Sequence, residues 1–178
     1  MSKCNSHHFT GTTSLHNSSL HTPSESDIIA ERVKGLDLRP HPTKQMGSKR
    51  MTKVRGKIDA RTATKDEYRL LRHTERLNGR RDEGVRLFWE QERERILNGQ
   101  TPSRPWSSEQ RATILRGDAA MLNGKKLQGH HSYAVSQYPH LANRGEVIFP
   151  VTFYEHLHIW HGGSFFKNAP GRPVKNHK

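Results

Sequence analysis

Apolar positions are sparse along the 178-residue chain, and their spacing changes character twice. Residues 1–35, which include SLHNSSLHTPSES, are rich in Ser, Thr, Asn and His and show no apolar period; they read as a flexible or linker tail. From about residue 62 the spacing becomes helical. Thr64 and Glu67 form a capping-box pattern, Tyr68, Leu71 and Leu77 fall near one face, and Asn78-Gly79 offers a stop. A second helix is predicted from Asp82 to Leu97, with Val85, Phe88, Trp89 and Ile96 inward. Glu90, Glu92 and Glu94 alternate with Arg93 and Arg95 on what reads as its solvated face. Ser107 with Gln110 repeats the capping-box pattern and opens a third helix, whose inner side is Ala112, Ile114 and Leu115.

The last third has a different rhythm. GHHSYAV is short, β-branched and aromatic, which predicts a strand starting near Gly129. EVIFPV, residues 146–151, predicts a second strand with Pro150 at its edge or end. Thr152 and Glu155 then form another capping box, so TFYEHLHIWH starts a helix that Gly162-Gly163 terminates. The expected architecture is α+β and helix-rich. A helical scaffold over about 60–117 precedes a strand-strand-helix segment over about 127–163, within one domain spanning 36–178.

Composition narrows the function. Only 31% of residues are hydrophobic, so the core must be small. Cys4 is the one cysteine, which excludes an internal disulfide and a Cys-based zinc site. No apolar run approaches the roughly 20 residues of a membrane helix, and the N-terminus lacks the order of a secretory signal. Thirty Lys+Arg against 17 Asp+Glu leave a net charge of +13. Residues 1–43 hold four basic and four acidic side chains, so the whole excess lies in 44–178. Such a balance points to a polyanion, with nucleic acid the first candidate. Lys65, Arg69, Arg72, Arg76 and Arg80 recur at spacings of three or four and suit phosphate contacts without base reading. The alternative is that these cations pair with Glu67, Glu75, Asp82 and Glu83 nearby.

Histidine carries the chemistry. Six of the 13 histidines (His130, His131, His140, His156, His158 and His161) fall in one short window. Imidazole suits both metal ligation and proton transfer near neutral pH. Adjacent residues on a strand face opposite ways, so one of His130 and His131 can bind a cation while the other activates water. A phosphodiester hydrolase needs that division of labour. On an ideal helix His158 and His161 lie about 60° apart, and His156 and His161 about 140° apart. Regular geometry thus favours His158 with His161, whereas a helix frayed at Gly162-Gly163 would let His161 join His156.

A His-His pair on one strand, a second strand and a histidine-bearing helix resemble the ββα-metal core of HNH (His-Me finger) nucleases. That resemblance implies His130 as a ligand and His131 as general base, with an asparagine orienting the base. Glu146 occupies the equivalent region and Asn143 lies just upstream. The longer string HPTK, KIDARTATKDEY, FWEQERERI and GHHSYAVSQYPHLANRGEVIFPVTFYEHLHIWHGGSF resembles the novel-toxin-15 (Ntox15) family of polymorphic-toxin nuclease domains, over roughly residues 36–176.

The Ntox15 resemblance implies an antibacterial DNase delivered by a specialised secretion route without a signal peptide. It would act in the target-cell cytoplasm, be checked by a cognate immunity protein and insert in no membrane. The family's HxxD signature is nearest to His140-Leu-Ala-Asn143, which makes His140 and Asn143 candidate catalytic residues. The expected metal set is His130, His156 and His161, holding Mg²⁺, Mn²⁺ or Zn²⁺. His158, Glu155 and Glu146 are further candidates, with Glu155 also explained by its cap. Two other functions fit the residues less fully: a metal-independent RNase toxin, and a nonenzymatic basic DNA-binding protein.

Overall fold

The computed structural model describes residues 22–176, so His7, His8, His16 and most of the predicted tail lie outside it. The fold is α+β and helix-rich, with helices first and short antiparallel strand pairs after them. Among the described residues are four α-helices: α1 (Glu25–Arg32), α2 (Ser48–Asp59), α3 (Lys65–Leu97) and α4 (Ser108–Leu115). Between α4 and the end of the described chain lie β1 (Met121–Leu122), β2 (Lys125–Lys126), β3 (Gln128–His131) and β4 (Ile148–Val151). A π-helical turn, Glu155–Trp160, follows β4.

Local chemistry explains most boundaries. Ser24 with Asp27, Thr64 with Glu67 and Ser107 with Gln110 make reciprocal side-chain caps that start α1, α3 and α4. Helix α1 belongs to a stretch read from sequence as linker, yet it buries Ile29 completely and Val33 almost so in the main core. Asn78-Gly79 does not end a helix; α3 runs through it for 33 residues. A mid-helix glycine costs only about 1 kcal/mol, and Leu71, Leu77 and Phe88 are buried on either side of it. Tertiary burial outweighs the local stop signal.

Helix α3 is the spine of the domain. Its buried stripe runs through Thr74, Leu77, Gly84, Phe88 and Glu92. Glu92, expected on the solvated face, is fully buried. It accepts hydrogen bonds from the Ser103 amide and hydroxyl and from Trp106 Nε1, each at 2.6 Å, and pairs with Arg95 at 3.0 Å. Arg32 of α1 lies 3.7 Å from the same carboxylate, so one anion ties α1, α3 and the 100–107 loop together. Such a charge is tolerated because its acceptor sites are filled.

The two strand pairs differ in role. Asn123 and Gly124, at φ 50° and 73°, form the tight turn between β1 and β2, an Asn-Gly pair suited to that backbone. Strands β3 and β4 pair antiparallel with His130 opposite Phe149 and His131 opposite Ile148. The predicted strand over 146–151 is shorter than expected, because Gly145–Val147 forms a 3₁₀ turn before β4. Helix α3 approaches this region closely at Gly84, where a Cβ would sit 2.4 Å from the Ala142 carbonyl oxygen. Gly84→Ala should therefore destabilise the protein by about 1–3 kcal/mol, lowering Tm by at least roughly 2 °C. An unchanged melting temperature would show that the helix does not press on this loop.

Candidate active site

The strand period places His130 and His131 on opposite faces of β3. His130 is 1% exposed and lies against Trp160, with ring centroids 4.5 Å apart. Phe149 flanks Trp160 at 5.6 Å, so Trp160 is a core floor beneath the histidine. Neither ring nitrogen of His130 has a hydrogen-bond partner among the described residues. Burying an imidazole in this way is costly unless something else engages it.

Two further histidines answer that need. The ring centroids of His130, His156 and His161 form a triangle with every side 5.0 Å. One ring nitrogen from each lies within 4.8 Å of the others. The regular helical geometry that favoured His158 with His161 does not hold, because Glu155–Trp160 is a π-helix. Its bonds close over five residues, a wider turn that brings residues five apart, such as His156 and His161, to one side. The backbone leaves the helix at His161, and Gly162 and Gly163 take φ of 56° and 90°. The Gly163 amide then donates to the Leu157 carbonyl at 2.7 Å, closing the end. His158 instead places its ring against Tyr154 at 4.6 Å, outside the triangle.

The hydrogen-bonding set fixes which nitrogens face inward. His156 Nδ1–H donates to Gln128 Oε1 at 2.7 Å, and His161 Nδ1–H donates to the Lys167 carbonyl at 2.5 Å. Each ring is thereby left with Nε2 as a lone-pair donor, the second-sphere arrangement that orients metal-ligating histidines. Burial, reinforced by the neighbouring histidines, holds His130 well below its ordinary pKa and His156 at about 4. Burial also lowers His161, against the pull of the Lys167 carbonyl. All three rings are neutral at pH 7, the form a metal requires.

His131 is set up differently. Its Nε2–H donates to the Ala142 carbonyl at 2.9 Å, which leaves Nδ1 as the basic nitrogen. Burial is the main cause, with Arg81 adding to it, of a pKa lowered to about 4. A cavity of about 460 Å³ is lined by His130, His131, His156, His161, Arg81 and Phe165 among others. Arg81 was one basic residue among many in the sequence. Its position in the α3 stripe, four residues after Leu77 and three before Gly84, turns it toward the histidines and marks it out. Gln128 carried no such signal, because its role depends on a partner 28 residues away.

The remaining candidates lie around this centre. His140 Nε2–H donates to the Asp37 carbonyl at 2.8 Å, and its ring faces His41 at 4.7 Å. Asn143 Oδ1 accepts from Arg80 at 2.7 Å, and Arg80 also donates to the His140 carbonyl at 3.0 Å. His140 and Asn143 thus flank the Ala142 carbonyl that holds His131, and neither lines the cavity. Glu155 accepts two hydrogen bonds from Arg104, at 2.9 and 2.8 Å, and one from the Thr152 amide at 2.6 Å. Its carboxylate serves the cap and leaves the histidine triangle to imidazoles. Glu146 faces Arg144 at 3.6 Å. On α3, Arg72 pairs with Glu75 and Arg69 lies 3.8 Å from Asp66, while Lys65 and Arg76 are exposed without an acidic partner among the described residues.

One comparison with known proteins gives a match. Residues 65–152 match the family described as GHH signature containing HNH/Endo VII superfamily nuclease toxin. The match supports a nuclease toxin of that superfamily and spans α3 to the end of β4, including Gly129-His130-His131. His156 and His161 fall just beyond it. No curated protein and no solved structure matches the chain at a significant level. Among the described residues no helix is long and apolar enough to cross a membrane.

Two measurements follow from the triangle. Titration calorimetry with Zn²⁺ should show a site that is weakened about 10- to 100-fold by Gln128→Ala and further by His130→Ala. His158→Ala should leave it intact; equal affinity in the wild type and His130→Ala would exclude the triangle as the site. The metal-free protein should also lose stability in mild acid. The lowered histidines bind fewer protons folded than unfolded, so stability falls as pH drops from about 6.5 toward 4. His131 accounts for up to about 2 kcal/mol at pH 5, and the half-buried His156, screened by solvent, for less. A Tm equal at pH 7 and pH 5 would contradict that burial.

Proposed function

We propose that the protein is a metal-dependent DNA endonuclease that acts as an antibacterial toxin. The reading is carried by one observation: two neutral imidazoles, His156 and His161, converge on the unpartnered buried His130, beside a fourth histidine, His131, that lines the same cavity. His130, His156 and His161 would hold the divalent ion. Three imidazoles with no carboxylate suit Zn²⁺ or another late first-row ion better than Mg²⁺ or Mn²⁺. Such an ion supplies charge stabilisation on the scissile phosphate and the leaving oxygen.

The chain's own groups carry the other parts. His131 Nδ1 takes the proton from the attacking water, and the Ala142 carbonyl keeps that nitrogen unprotonated and aimed. Arg81 offers its guanidinium to the phosphate inside the cavity. His140, Asn143 and Arg80 act as positioning residues for the Ala142 loop. Lys65, Arg69, Arg72 and Arg76, exposed along α3, supply sequence-independent attraction to the backbone. The Ntox15 resemblance supports delivery into a rival cell's cytoplasm by a specialised secretion route. A DNase that cuts without regard to sequence endangers its producer, which is why a cognate immunity protein belongs to the reading.

The test is cleavage of supercoiled plasmid and of circular single-stranded DNA with Mg²⁺, Mn²⁺ or Zn²⁺, with and without EDTA. Metal-dependent loss of either DNA is expected, and His131→Ala should reduce the rate at least about 100-fold. Intact DNA under all three ions, or EDTA-resistant cleavage of RNA alone, would overturn the assignment.

A further inference from the structure

On the far side of Gln128 a second groove, of about 500 Å³, is lined by Leu122, Lys125, Lys126, Phe153 and Tyr154. Two contacts link its lining residues to those of the catalytic cavity. Gln128 lines the groove while its Oε1 holds His156. Phe153 faces Phe165 at 6.4 Å, and Phe165 in turn packs against His156 and His161 at 5.3 and 5.2 Å.

Phe153 is 59% and Tyr154 66% exposed in a chain with few apolar residues to spare. Phe165 and Phe166, at the rim of the catalytic cavity, are 52% and 101% exposed. Lys125 and Lys126, which line the same groove from the hairpin around Asn123-Gly124, are exposed and have no acidic partner among the described residues. Aromatic faces beside free cations match the two surfaces of a nucleic-acid strand, base and phosphate. A duplex keeps its base faces stacked inside and offers nothing to these rings.

We propose that this groove is a subsite for unpaired nucleotides flanking the scissile phosphodiester. Bases stack on Phe153 and Tyr154, phosphates lie against Lys125 and Lys126, and the substrate is engaged as a single strand. The proposal rests on the nuclease reading for what lies in the adjoining cavity.

It is tested by fluorescence anisotropy with the full chain carrying His131→Ala, in EDTA. The probes are a labelled 12-nucleotide DNA and its blunt duplex. The single strand should bind at least about tenfold tighter at equal salt. Phe153→Ala with Tyr154→Ala should weaken single-strand binding about five- to a hundredfold, with circular dichroism unchanged. Lys125→Ala with Lys126→Ala should flatten the salt dependence of log K by about 1.4. Equal affinity for duplex, or no effect of the aromatic substitutions, would overturn the subsite. Binding as expected without cleavage by the wild type would instead sink the nuclease reading and leave the subsite standing. Plasmid cleavage combined with equal duplex affinity would do the reverse.

Discussion

The widened turn at Glu155–Trp160 is the constraint on which the centre depends. An α-helix would aim His158, and not His156, toward the side that His161 occupies. The π turn exchanges one histidine for another and sets both His156 and His161 5.0 Å from His130. Both ends of the turn are anchored. Arg104 grips Glu155 and the Pro150 carbonyl at the start, and the Gly163 amide closes onto Leu157 at the finish. Irregular helical turns of this kind cost hydrogen-bond quality and recur where a side chain must be aimed.

The other half of the site rests on α3. Its stripe presses Gly84 against the Ala142 backbone, and the Ala142 carbonyl fixes the tautomer of His131. The same stripe delivers Arg81 to the cavity and Glu92 to the junction with α1. Packing, tautomer and charge placement are therefore one problem, solved along one helix. Histidines buried as neutral rings serve the chemistry at the expense of acid stability.

The strand pair and three of the caps are legible in the sequence, as is the clustering of histidines in one window, because those signals are local. Period-two alternation separates His130 from His131, and a Thr-x-x-Glu spacing announces the Glu155 cap whatever helix follows. Legibility fails where distance in the chain decides the outcome. Asn78-Gly79 reads as a stop until the burial on both sides of it is known. Glu92 reads as solvated until Ser103 and Trp106 fold back onto it. Helix α1 looked like linker because eight residues with one fully buried isoleucine give no period to detect. The π turn has no sequence signature at all, so the choice between His156 and His158 stayed open. Arg81 was legible in principle: it is a charge at the register of an apolar stripe.

The proposed nuclease chemistry requires His130, His156 and His161 to hold a metal ion together. X-ray absorption on the zinc-loaded protein reads the coordination shell directly. Three imidazole nitrogens at about 2.0–2.1 Å are expected, reduced to two by His130→Ala. A shell of oxygens alone, or one unchanged by that substitution, would contradict it.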